Sequence, residues 1–115
     1  MRKYKLLLMG RVQRNQLKML EVISTKNSIS IIGHANYAEP GKDIVCAGVS
    51  TLVQTLIQAV EELTTDKIQY DMQPGKVHIN FWCLSDPTRA LIDAFFIGVK
   101  LIADNYPDNV KLTKL

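Results

Sequence analysis

His34 and Cys46 stand twelve residues apart in Gly33-His34-Ala35-Asn36-Tyr37-Ala38-Glu39-Pro40-Gly41-Lys42-Asp43-Ile44-Val45-Cys46, and each is one of only two residues of its kind in the chain. A cysteine attacks a carbonyl as its thiolate, and a free thiol with a pKa of about 8.5 is only a few per cent ionised near neutrality. An active nucleophile therefore needs help, and two neighbours could give it. Cys46 falls in the first turn of a predicted helix, where unpaired N–H groups favour an anion, and Asp43 can cap that turn by accepting a backbone N–H. His34, at a predicted strand end, could be folded back by the intervening loop to take the thiol proton and later return it to a leaving amine. The N–H groups of Cys46 and Ala47 at the helix start are candidate donors to an oxyanion.

Spacing alone leaves plainer readings open. A cysteine at a helix start can be a small packed residue, and a histidine at a strand end can be a surface side chain. One Cys and one His fall short of the three or four protein ligands that zinc takes, so the reading includes no metal, and the chemistry calls for no cofactor.

The elements that must position these residues are legible from periodicity. Residues 19–25 and 28–32 are short β-branched runs split by Lys26-Asn27, which predicts a hairpin ending at Gly33. Val45, Val49, Leu52, Val53, Leu56, Val60 and Leu63 recur at helical spacing, so a helix with one buried face is expected from Ile44 to about Leu63. Ile68, Tyr70 and Met72 alternate, Gln73-Pro74-Gly75-Lys76 supplies a turn, and Val77, Ile79, Phe81 and Cys83 alternate again, which predicts a second hairpin. Ser85 or Asp86 can cap a second helix, with Pro87 at its first position and Leu91, Phe95, Val99, Ile102 and Tyr106 on one face. The order ββαββα predicts an α+β fold of two layers, an antiparallel sheet of about four strands packed with two helices. The VKL segment near the C-terminus could extend the sheet or hang free.

Composition fits one soluble globular domain, since a chain of 115 residues can bury about two-thirds of its unfolded surface in a single core. The apolar run Leu6-Leu7-Leu8-Met9 is too short for a signal peptide or a membrane span, so a cytoplasmic protein with two free thiols is expected. The net charge of +3 is unevenly spread: residues 1–18 hold six basic side chains and no acid, and the other 97 hold eight basic against eleven acidic ones. Residues 1–18 are therefore read as a basic N-terminal extension that could contact RNA, and residues 19–115 as a single domain.

Gly33-His34-Ala35, followed by Gly41-Lys42-Asp43-Ile44-Val45-Cys46-Ala47-Gly48-Val49-Ser50, closely resembles the signature of the ribosomal-processing cysteine protease family, Prp. The order of elements is similar from about Met19 to the C-terminus. The resemblance implies a cytoplasmic, homodimeric cysteine endopeptidase with His34 as general base and Cys46 as nucleophile. Its substrate would be a large-subunit ribosomal protein, which loses a short N-terminal extension by cleavage after a hydrophobic, aromatic-ended stretch. It also implies a mobile loop between the two residues that closes on substrate. Phage-encoded relatives that process capsid and scaffold proteins offer an alternative substrate class. A non-catalytic ribosome- or RNA-binding module acting through residues 1–18 is the alternative from another class.

Glycine reaches dihedrals that other residues avoid, so Gly33 and Gly41 could be the hinges of that loop, and Asn36 is the next most tolerant residue type within it. Pro40 should stiffen it. Ser50, one turn after Cys46, either supports the site or packs against a strand, and Tyr37 either lines a substrate cleft or covers apolar surface. Lys42 reads as solvated. Strand parity turns His78, Asn80 and Trp82 away from the core and makes Cys83 a buried thiol beside Val77, Ile79 and Phe81.

Overall fold

Lys26 and Asn27 reverse the chain between β1 (Leu20–Ser24) and β2 (Ser28–Ile32) in the computed structural model, which describes residues 19–115. The Thr25 N–H donates to the Ser28 carbonyl at 2.9 Å, and the two hydroxyls meet at 2.6 Å. The register pairs Val22 with Ile31 and Ser24 with Ile29, so Leu20, Val22, Ile29 and Ile31 all turn into the core. The basic extension read from residues 1–18 lies outside the described residues.

Helix α1 spans Ile44–Leu63, the expected range. Its buried residues are Val45, Val49, Val53, Leu56, Ile57 and Val60, close to the stripe that periodicity predicts. By length and composition α1 could cross a membrane, but its apolar face packs into the core while Thr51, Gln54, Thr55 and Gln58 face outward. Two glycines let the helices approach closely: a Cβ on Gly98 of α2 (Asp86–Asn105) would come within 2.8 Å of Leu52, and one on Gly48 within 3.2 Å of Ile102.

The second hairpin joins β3 (Ile68–Gln73) to β4 (Lys76–Phe81) through Pro74 and Gly75, as the turn residues predict. Between β4 and α2 two expectations change. β4 ends at Phe81, whose N–H bonds to the Asn27 carbonyl, and the chain then turns through Cys83 at φ +52. Parity no longer applies beyond the ladder, so Cys83 is exposed rather than buried. Ser85 occupies the N-cap position of α2 but makes no side-chain cap bond; its hydroxyl and N–H donate instead to Asp66, at 2.7 and 2.9 Å. A carboxylate from the linker after α1 thus adds negative charge at the start of α2, beside Asp86 in its first turn.

The VKL segment joins the sheet as β5 (Val110–Lys114), parallel to β1, with Leu20 paired to Val110 and Val22 to Leu112. The sheet is therefore five-stranded and mixed, in the order β3-β4-β2-β1-β5, where the two hairpins alone predicted about four antiparallel strands. A parallel partner needs a long crossover, and the chain from β2 to α2 provides it. The two-layer α+β arrangement is as expected. The polar face of the sheet carries His78, held by Ser30 Oγ at 2.7 Å from Nδ1 and by Asn80 Oδ1 at 3.1 Å from Nε2.

Candidate active site

The end of β2 and the start of α1 bring the two candidate residues to one cleft. Gly33, at φ +91, continues the β2–β4 ladder by one step, its N–H donating to the Gly75 carbonyl at 2.9 Å. His34 then projects an exposed side chain, and Ala35 is fully buried. The Ala35 peptide is held from both sides: its N–H points to Cys46 Sγ at 3.2 Å, and its carbonyl accepts from Asn109 Nδ2 at 2.9 Å. The residue adjoining the histidine is thereby in contact with the sulfur.

Asp43 organises the loop between them. One carboxylate oxygen accepts the N–H groups of Val45 and Cys46, at 3.0 and 2.9 Å, and caps α1 as expected. The other accepts those of Tyr37 and Ala38, at 2.9 and 3.4 Å, and closes the loop onto the helix. Burial pushes the Asp43 carboxyl up, but the four backbone N–H bonds outweigh it and hold the group below the usual aspartate value. Asn36, at φ +54, uses the left-handed tolerance that suits it to this loop, and Gly41 lies at φ +88. The Tyr37 ring packs edge-on against Tyr106, with centroids 5.2 Å apart, so part of its surface covers the end of α2.

Two cavities meet at the cleft, and His34, Cys46 and Ser50 border both. The larger, about 610 Å³, lies on the loop side beside Pro40, Gly41 and Lys42. The smaller, about 230 Å³, runs between the β3–β4 turn and α1, walled by Leu20, Ile31, Val49, Val53, Met72 and Val77. Ser50 is exposed and accepts a hydrogen bond from Gln54 Nε2 at 2.9 Å. Among the described residues, no hydrogen bond joins the His34 ring to Cys46, and no three His, Cys, Asp or Glu side chains cluster as metal ligands.

The candidate oxyanion donors are both engaged. The Cys46 N–H serves the Asp43 carboxylate, and the Ala47 N–H bonds the Asp43 carbonyl at 3.0 Å as part of the helix ladder. A substrate oxygen would have to share them. The Ala35 N–H is the donor that already faces the sulfur, and sequence reasoning missed it together with its anchor, Asn109. No local signal marks Asn109, because its partner lies 74 residues away. Replacing Asn109 with alanine leaves a buried carbonyl unpaired, an expected loss of about 1–2 kcal/mol in urea unfolding.

Acid should weaken the starts of both helices. The Thr88 and Ser85 hydroxyls, followed by the Ser85 N–H, hold the Asp66 carboxyl below its ordinary value, as backbone donors do for Asp43. A carboxylate whose folded pKa is depressed contributes stability that is present above the unfolded value, about 3.9, and is lost as pH falls through the lower folded one. Melting temperature is therefore expected to hold down to about pH 5 and to drop below about pH 4. The Asp43→Asn/Asp66→Asn double variant should melt lower above about pH 5 and converge on the parent in acid, with a flatter acid limb.

An α+β domain that sets a thiol at the amino end of a buried helix, with an imidazole across a shared cleft, has the equipment of a cysteine hydrolase. Comparison with known proteins narrows the class. The family model described as "Cysteine protease Prp" matches residues 17–111. The Bacillus subtilis protein named ribosomal processing cysteine protease Prp is 32% identical over 93 residues, covering 75% of this chain and 83% of the relative. Its Mycoplasma genitalium namesake is 31% identical over 99 residues, covering 84% and 96%. The chain belongs to the Prp family of cysteine proteases.

Solved structures agree on the fold. The Staphylococcus aureus Prp structure with a covalently linked product peptide superimposes with a TM-score of 0.81 at 24% identity, covering 84% of this chain and all of that one. A Streptococcus mutans structure gives 0.65 at 32% identity, covering 84% and 96%.

Proposed function

We propose that residues 19–115 form a cysteine endopeptidase that removes an N-terminal extension from a ribosomal large-subunit protein, with Cys46 as nucleophile and His34 as general base and acid. The observation that carries the assignment is the 3.2 Å contact from the Ala35 N–H to Cys46 Sγ, which fixes the backbone next to the histidine against the sulfur. His34 takes the thiol proton as Sγ attacks the scissile carbonyl carbon, and the tetrahedral oxygen is stabilised by backbone donors at the cleft. Collapse breaks the C–N bond, and His34 returns the proton to the departing amine. Water, deprotonated by the same imidazole, then hydrolyses the thioester and restores Cys46.

The names of the relatives support a ribosomal substrate. The smaller cavity supports an apolar side chain beside the scissile bond, because its walls are aliphatic and a methionine lies among them. Gly33 and Gly41, both at positive φ, would serve as the loop's hinges. By resemblance to the family, the enzyme acts in the cytoplasm as a homodimer.

Incubation with a peptide carrying an apolar, aromatic-ended segment, followed by mass spectrometry, tests the reading. Cleavage after that segment is expected, with a transient adduct of the N-terminal product on Cys46. Cleavage that persists after complete alkylation of both thiols would overturn it.

A further inference from the structure

We infer that the β3–β4 turn is the seat of the His34 imidazole and that Gly75 is the residue that positions it. This rests on the reading of His34 as the general base.

The His34 ring makes no hydrogen bond among the described residues, so packing sets its orientation. An exposed side chain with two free torsions must otherwise be ordered at each turnover, and misplacement of a catalytic group by about 1 Å can cost about a hundredfold in rate. The ring does have a packing surface. A Cβ built on Gly75 would lie 3.0 Å from His34 Nε2, 3.4 Å from Cε1 and 3.7 Å from Cδ2, so one edge of the imidazole packs over the bare glycine and would have to give by a few tenths of an ångström to a side chain there.

The turn beneath it is stiff. Pro74 at the first corner and Gly75 at φ +74 at the second follow the type II pattern, closed by the Gln73–Lys76 pair. The same glycine accepts the Gly33 N–H, so the turn is tied to the backbone immediately before His34 as well as to its ring. Gly75 therefore meets two separate demands: a left-handed backbone and an empty Cβ position. Asparagine could satisfy the first but not the second, and this separates a seat from a mere turn.

The experiment compares Gly75→Asn and Gly75→Ala in the wild-type and His34→Ala backgrounds. It reads peptide cleavage, the alkylation rate of Cys46 and thermal melting. Both substitutions are expected to lower kcat by about tenfold or more with little change in KM, and to slow Cys46 alkylation, even though asparagine better preserves the melting temperature. In the His34→Ala background neither should slow alkylation further, because the group they act through is gone. Full kcat in Gly75→Asn, or an equal slowing of alkylation in both backgrounds, overturns the seat while leaving the protease reading intact. Undiminished cleavage by His34→Ala alone overturns the general-base reading, and the seat with it.

Discussion

Replacing Cys46 with serine abolishes peptide cleavage, with an expected loss of about 10⁴-fold or more in kcat/KM and a melting temperature close to that of the parent. The exchange is nearly isosteric, and the Ala35 N–H can donate to a hydroxyl as it does to Sγ. The fold therefore has little reason to respond. Chemistry has every reason, because an alcohol gives up its proton far less readily than a thiol. Product quantification by mass spectrometry, with circular dichroism as the folding control, gives the result. A serine variant that cut at the parental rate would remove Cys46 from the mechanism.

His34→Ala is the second large effect, with cleavage reduced by about 10²–10⁴-fold. The side chain is exposed and its ring holds no hydrogen bond among the described residues, so stability should move by no more than about 0.5 kcal/mol. That dissociation of activity from stability marks a catalytic group. The two thiols provide an internal control, since Cys83 borders a cavity beside Trp82 and Phe96 that shares no lining residue with the Cys46 cavities. Alkylation of Cys46 should slow in the variant and that of Cys83 should not. Parallel slowing at both thiols would point to a global change in the protein instead.

What could be read from the chain followed the range of the interactions involved. The valine stripe of α1 recurs every three to four residues, and Pro74-Gly75 announces its own turn, so both are written in adjacent residues. The spacing of His34 and Cys46 likewise survives folding because a strand end and a helix start, both locally encoded, carry them. β5 is different: five residues with two inward apolar positions carry almost no signal, and their pairing depends on β1 some ninety residues earlier. The Asp66 cap on α2 and the Asn109 anchor on Ala35 span 19 and 74 residues, and single hydrogen bonds of that reach leave no periodic trace. Cys83 was misjudged for a related reason, since parity assumes that a strand continues, and the ladder that decides its end belongs to another segment.

Asn109 lies just before β5 yet holds the carbonyl of Ala35, the residue that follows His34 and whose N–H meets Cys46 Sγ. Synthesis runs from the amino terminus, so His34 and Cys46 emerge long before the side chain that fastens their neighbour. A nascent chain arrested short of that point carries both reactive groups on an unfastened scaffold.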